Sequence, residues 1–254
     1  MKITLLGTGT SQGVPVIACE CEVCRSSDPH DNRLRSAIMI EDKGTCVVVD
    51  AGPDFRQQML REKVRNVDAI LLTHEHADHI FGLDDIRSFN WVRKAPMDIY
   101  CEARVDKNLR SIFEYVFSEE KYPGIPQMNL VPINGLPLTI GALEIVPVRV
   151  MHHQLPVYGF RVGKFAYLTD FSTIADEELE KLNGVEVLVI DALRKESHIS
   201  HLSLSEAITI INKINPRKAY ITHISHQMGL HNEVMKELPE GVELGYDGEV
   251  LILE

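Results

Sequence analysis

No stretch of this chain approaches the roughly 18 uninterrupted apolar residues that a spanning helix needs, which excludes insertion into a membrane by that route. Positive charge is also short. Against 37 Asp plus Glu there are only 26 Lys plus Arg, a formal net charge of −11, which argues against a broad surface for nucleic acid. A small anionic substrate is still compatible with that balance, because bound cations can reverse the field inside one cleft. The opening Met1-Lys2-Ile3-Thr4-Leu5-Leu6-Gly7 has too short an apolar run for an export signal, so the expected location is cytoplasmic. Five cysteines in that setting read as thiols or metal ligands, not as a disulfide framework. No repeat, low-complexity tract or linker divides the 254 residues, and a single domain over 1–254 is expected.

Composition is that of an ordinary globular protein, 44% hydrophobic and 25% charged. Short β-rich apolar runs recur at Ile3–Leu6, Ala37–Ile40, Cys46–Val49, Ala69–Leu72, Ile99–Cys101, Leu143–Val150, Gly159–Val162, Phe165–Leu168, Val185–Ile190, Ala219–Ile221 and Val250–Leu253. Helical patterns cover Val105–Phe117, Ile174–Leu182 and Ser203–Ile214. Thr173 with Asp176 predicts a cap for the second, and Ser203 with Glu206 a capping box for the third. Strands in runs with helices between them predict two sheets packed face to face with helices outside.

The informative residues are the eleven histidines, most of which fall directly after an apolar strand. Strand ends are where sites are built. The densest group is Thr73-His74-Glu75-His76-Ala77-Asp78-His79. Residues two apart in an extended turn point the same way, so His74 and His76 can reach one ion while Asp78 and His79 face a neighbouring position. Three imidazoles packed together without a cation are electrostatically poor. Further ligands must come from other strand ends, where His152, His153, Asp170 and His223 stand.

His74-x-His76-x-Asp78-His79, with Asp50-Ala51-Gly52 upstream and His152, Asp170 and His223 downstream, resembles the metallo-β-lactamase fold superfamily over essentially the whole chain. The resemblance implies an α/β four-layer αββα sandwich of two similar halves. It implies His74, His76 and His152 as ligands of a first metal, Asp78, His79 and His223 as ligands of a second, and Asp170 as a bridge. His152 is preferred to His153 because His152-His153-Gln154-Leu155-Pro156-Val157-Tyr158-Gly159-Phe160 is similar to a family segment with the ligand in the first place. Asp50 is expected to orient a ligand histidine.

Cys19-Glu20-Cys21-Glu22-Val23-Cys24 places three thiols on an acidic loop. Three thiolates call for one more ligand, and His226, three residues beyond His223, predicts a closed Cys₃His structural zinc site. Cys46 and Cys101, in apolar runs, read as buried thiols. Together with Gly7-Thr8-Gly9-Thr10-Ser11-Gln12-Gly13-Val14-Pro15 and Thr222-His223-Ile224-Ser225-His226-Gln227, this loop is similar to the PhnP-like branch, which includes the phosphoribosyl 1,2-cyclic phosphate phosphodiesterases. That resemblance implies two active-site ions, manganese or zinc, and a separate structural zinc. It further implies hydrolysis of a small phosphodiester by a hydroxide shared between the two ions. His201 then becomes the proton donor, with Asp78 among the catalytic groups as well as the ligands. His198 is a weaker candidate than His201, and Arg87 either holds a phosphate or pairs with Asp84. The competing readings are a lactone or thioester hydrolase of the same superfamily and a ribonuclease Z-like nuclease. The expected partner is a small phosphodiester, with no membrane and no nucleic acid, and a homodimer is left open. Trp91–Lys94 and Tyr115–Tyr122 fit either a lid or core packing.

Overall fold

The computed structural model describes residues 1–120 and 122–253, and Lys121 and Glu254 lie outside the described residues. Its strands, in chain order, are β1 (Lys2–Gly7), β2 (Ala37–Asp42), β3 (Thr45–Val49), β4 (Ala69–Leu71), β5 (Met97–Cys101), β6 (Met128–Pro132), β7 (Leu138–Ile140), β8 (Leu143–His152), β9 (Leu155–Val162), β10 (Phe165–Leu168), β11 (Thr173–Ile174), β12 (Val187–Asp191), β13 (Lys218–Thr222), β14 (Val242–Leu244) and β15 (Val250–Ile252). They form two sheets, ordered β15-β1-β2-β3-β4-β5-β6 and β11-β8-β9-β10-β12-β13-β14, with β7 also on β8. Each sheet starts as an antiparallel meander and continues as parallel strands, from β3 in one and from β10 in the other.

Alternation along the strands makes the layers. Val47 and Val49 of β3, Ala69 and Leu71 of β4, and Val187 and Val189 of β12 all enter one cluster between the sheets. Their neighbours face outward: Val48 and Ile70 onto the helices of one half, Leu188 and Ile190 onto those of the other. Strands buried on both faces read as continuous Val/Ile/Leu runs, which is why β12 is VLVID. The result is the expected αββα sandwich, with the carboxyl ends of β3, β4, β10, β12 and β13 opening on one edge. No helix among the described residues is long and apolar enough to cross a membrane.

The third predicted helix forms over Leu204–Ile214 with the full capping box: Ser203 accepts from the Glu206 backbone and Glu206 accepts from Ser203 N at 2.7 Å. Replacing Ser203 by Ala should cost about 1 kcal/mol, read as a lower denaturation midpoint in urea. The other two helical expectations need correction. Thr173 does not cap a helix. Thr173–Ile174 instead pairs with Met151 and Val150 as β11, and the helix runs over Asp176–Glu180 behind Ala175, with no side-chain cap. Sheet pairing with Met151 and Val150, distant in the sequence, overrides the local helical pattern. The Val105–Phe117 pattern is divided into Ala103–Ile112 and Glu114–Phe117, because Phe113 leaves helical geometry (φ −106°, ψ 43°) while its ring stays buried. Four strands, β6, β7, β11 and β14, were absent from the pattern reading, and β9 begins at Leu155, four residues before Gly159.

Candidate active site and thiol centre

The sandwich edge collects the histidines and carboxylates. Asp50 follows β3, Thr73–His79 follows β4, His152 ends β8, Asp170 follows β10, Asp191 ends β12 and His223 follows β13. The chain turns so sharply there that Asp50, Asp170 and His223 each adopt the left-handed region, at φ 66°, 54° and 58°. Non-glycine residues in that region are uncommon, and three of them bordering one cleft mark a functional site. Gly52 permits the turn after Asp50 to close, since any side chain on it would collide with the Asp78 carbonyl.

Within the cleft the rings of His76 and His79 lie 4.4 and 4.3 Å from that of His74, and His152 lies 5.2 Å from His76. Asp170 Oδ2 sits 2.8 Å from His79 Nε2 and 3.1 Å from His223 Nδ1, and Asp78 Oδ2 is 3.1 Å from His79 Nε2. These are close approaches without hydrogen-bond geometry. His74 Nε2, His79 Nε2 and His223 Nδ1 are buried with no hydrogen-bond partner among the described residues. The outward-facing nitrogens are engaged. His79 Nδ1 donates to Asp50 at 2.7 Å, His152 Nδ1 to the Ser200 carbonyl at 2.9 Å, Thr73 Oγ1 lies 3.0 Å from His74 Nδ1, and Thr10 Oγ1 lies 3.3 Å from His223 Nε2. Each ring is thus held from behind, with its free nitrogen aimed into the cleft, the arrangement that orients metal-ligating imidazoles.

Electrostatics favour cations there. Burial depresses the basicity of His74, His152 and His223. His79 goes the other way: burial opposes its charge, but Asp78, Asp50 and Asp170 together hold it well above its ordinary value. Burial also opposes ionisation of Asp170, yet His223 and His79 keep its carboxyl well below the usual range. Buried carboxylates facing neutral imidazoles are costly unless a positive ion completes the set. Asp78, His79, Asp170 and His223 present ligand atoms within 4.8 Å of one another, as metal ligands must.

His201 lies against this group, its ring stacked 4.9 Å from His223 and edge-on 4.6 Å from His152. Its Nδ1 is 3.5 Å from Asp191 Oδ1 and 3.7 Å from Asp170 Oδ1. Burial disfavours the charged ring, but Asp191 outweighs it and raises the basicity of His201.

The second cluster is equally compact. The sulfurs of Cys19, Cys21 and Cys24 stand 3.3, 3.3 and 3.5 Å from His226 Nδ1. The Cys24 backbone N–H helps bring the Cys21 thiol down to about 6, whereas burial pushes Cys24 up to about 11. Burial pushes Cys46 and Cys101, away from the cluster, to about 12, so they remain inert thiols. The two centres share a loop: Ile224 donates to the Thr8 carbonyl at 2.9 Å and accepts from Thr10 at 3.1 Å, lacing residues 223–226 to the Gly7–Thr10 turn.

A family model described as "Beta-lactamase superfamily domain" matches residues 45–224. A crystal structure described as a new diphosphatase from the PhnP family superposes with a TM-score of 0.93 and 40% identity, covering all of this chain and 98% of that one. The chain belongs to the PhnP-like branch of the metallo-β-lactamase superfamily. A Porphyromonas gingivalis protein named octanoyltransferase is 41% identical over 257 residues, covering all of this chain. The chain spans only 52% of that relative's length. The zinc-bound PqqB of Methylobacterium extorquens, at 17% identity and TM-score 0.80 with both chains fully covered, shares the fold.

In this PhnP-like chain the structure brings His74, His76, Asp78, His79, His152, Asp170, His201 and His223 together, with Asp50 behind His79. It also places the residues of two alternatives that the sequence left open. His153 is an exposed turn residue at φ 56°, while His152 carries its ring into the cleft. Arg87 pairs with Asp84, through Nε to the backbone carbonyl at 3.0 Å and through a contact to the side chain, the second of the two readings of this residue. His198 stands 5.2 Å from His201, outside the inner group. Trp91 and Val92 are exposed and do not pack in the core. Sequence reading missed Asp191, although it carries the same signal as Asp170, a carboxylate at the end of an apolar strand run. Thr10, Thr73 and Ser200, which hold rings from behind, carry no such signal.

Proposed function

We propose that the chain is a metal-dependent phosphodiesterase for small phosphodiesters. The observation that carries this reading is Asp170, whose one carboxylate oxygen lies between His79 Nε2 and His223 Nδ1 while both nitrogens lack hydrogen-bond partners. His74, His76 and His152 would hold one ion, Asp78, His79 and His223 another, and Asp170 would face both. Imidazole with carboxylate suits zinc or manganese. Such ions, when bound, supply charge stabilisation to phosphate oxygens and acidify water. The protein does the rest. Asp50, Thr73 and Ser200 fix the ring orientations, and the burial of the cleft strengthens each electrostatic contact. His201, whose basicity Asp191 raises, lies at the edge of the cleft, where in its protonated form it can pass a proton to a departing alkoxide.

Three thiols on one imidazole support a closed zinc site with a structural role. Cys24→Ala should then remove about one zinc per chain, leave the other ions in place, and lower stability by about 2 kcal/mol, roughly 4–8 °C in Tm. Metal analysis together with thermal unfolding checks both halves.

The function itself is tested with bis-p-nitrophenyl phosphate, phosphoribosyl 1,2-cyclic phosphate, a lactone, a thioester and precursor tRNA as substrates. Hydrolysis of phosphodiesters, lost on chelation and restored by zinc or manganese, supports the reading. Turnover of the lactone or thioester alone would replace it with the acyl reading, and cleavage of tRNA alone with the nuclease reading, which a net charge of −11 disfavours. The name of the Porphyromonas gingivalis relative points toward acyl chemistry, but this chain matches only half of that protein.

A further inference from the structure

A cavity of about 500 Å³ opens beside the histidine centre, within the size range of ligand pockets. His76 and His152 form its inner wall, so whatever occupies it lies next to the reacting phosphate. Its outer walls are Leu155 and Ile199, with His153 and Gln154 at the turn between β8 and β9. Ile199 is 73% exposed, a large apolar surface that no packing within the fold accounts for. It is not loosely held. The Ser200 carbonyl beside it receives the His152 Nδ1 hydrogen bond, and Ser200 N donates to His198 Nδ1 at 3.3 Å. The contact that aims His152 therefore also fixes Ile199 on the rim.

The lining contains no lysine or arginine among the described residues. Nearby cations are committed elsewhere: Arg194 to Gln227 and the Ser197 carbonyl, Lys195 to Glu237, Arg104 to Glu75 and the Pro156 carbonyl. A second phosphate seated here would lose water and meet no lysine or arginine; of the lining imidazoles His76 and His152 face the histidine centre, which leaves the exposed His153 as the one cationic candidate, in a chain that is already acidic. A flat, uncharged ring would instead cover Leu155 and Ile199 and present its edge to the Gln154 amide.

We propose that this cavity seats an uncharged, ring-bearing group, so that the substrate's non-reacting half is of nucleoside or aryl type and not a second phosphate. The inference rests on the phosphodiesterase reading and narrows it. Phosphoribosyl 1,2-cyclic phosphate, which carries a further phosphate, would accordingly be a poor substrate.

The test compares methyl p-nitrophenyl phosphate with the p-nitrophenyl ester of thymidine monophosphate, which share a leaving group and differ in the seated half. The thymidine ester should have a kcat/KM at least about tenfold higher. Ile199→Asp should abolish that advantage while holding methyl-ester turnover within about twofold and metal content unchanged. Ile199→Arg should raise kcat/KM for phosphoribosyl 1,2-cyclic phosphate above wild type. Independently of turnover, saturation-transfer NMR on zinc-loaded protein should show thymidine contacts in the wild type and none in Ile199→Asp. Equal kcat/KM for the two esters, or an advantage that survives Ile199→Asp, would overturn the cavity assignment and leave the phosphodiesterase reading standing. If neither ester is hydrolysed with metals loaded, both fall together.

Discussion

Asp170→Asn should lose most of its active-site metal and at least about 10³-fold in kcat/KM toward bis-p-nitrophenyl phosphate, because no other side chain can replace its oxygen between His79 and His223. The amide keeps the shape but removes the charge. The cleft would then lose the carboxylate that faces His79 and His223, the one the proposed centre places beside both ions. The thiol centre lies outside this contact set, so the variant should retain about one zinc per chain. The measurement is metal content by mass spectrometry alongside steady-state kinetics. Full metal content with unchanged kinetics would remove Asp170 from the centre and take the phosphodiesterase reading with it.

His201→Gln should separate metal binding from turnover. Its ring stacks on His223 and approaches Asp191, but the nitrogens of His74, His76 and His152 do not depend on it. Metal content should remain at the wild-type level, KM should stay within a few-fold, and kcat should fall by about 10² to 10⁴, the usual worth of a positioned proton donor. The loss should shrink with an activated ester such as a p-nitrophenyl leaving group, which departs without a proton, and widen with an alkyl leaving group. An equal loss on both would make His201 a positioning residue.

Where a residue's role was written in its neighbours, the sequence was sufficient. The His74–His79 turn is dense enough to identify itself, and Ser203 with Glu206 forms the capping box that their spacing demands. Cys19, Cys21, Cys24 and His226 could be matched from opposite ends of the chain because three thiols leave one place to fill. What was not legible depends on contacts made by distant segments. Thr173 pairs with Met151, which no local pattern around Thr173 encodes, and β14 is three residues at a sheet edge, paired there with β13. Asp191 ends a strand much as Asp170 does, but only the approach of His201, ten residues on and around a loop, shows what it touches. That Arg87 pairs with Asp84 is a side-chain geometry that sequence separation alone leaves open.

The lacing of the Gly7–Thr10 turn to residues 223–226 bears on how the protein acquires its activity. Its first and last strands, β1 and β15, lie side by side, and Thr10 holds His223 from 213 residues away. Contacts of such long sequence separation form slowly, since loop closure must precede their reward. A nascent chain emerging from the ribosome would carry the His74–His79 turn long before His223 arrives to face it. Until then the apolar strands of the first sheet lack the second sheet that covers them, which makes the interval before completion the period when misassembly and aggregation compete with folding.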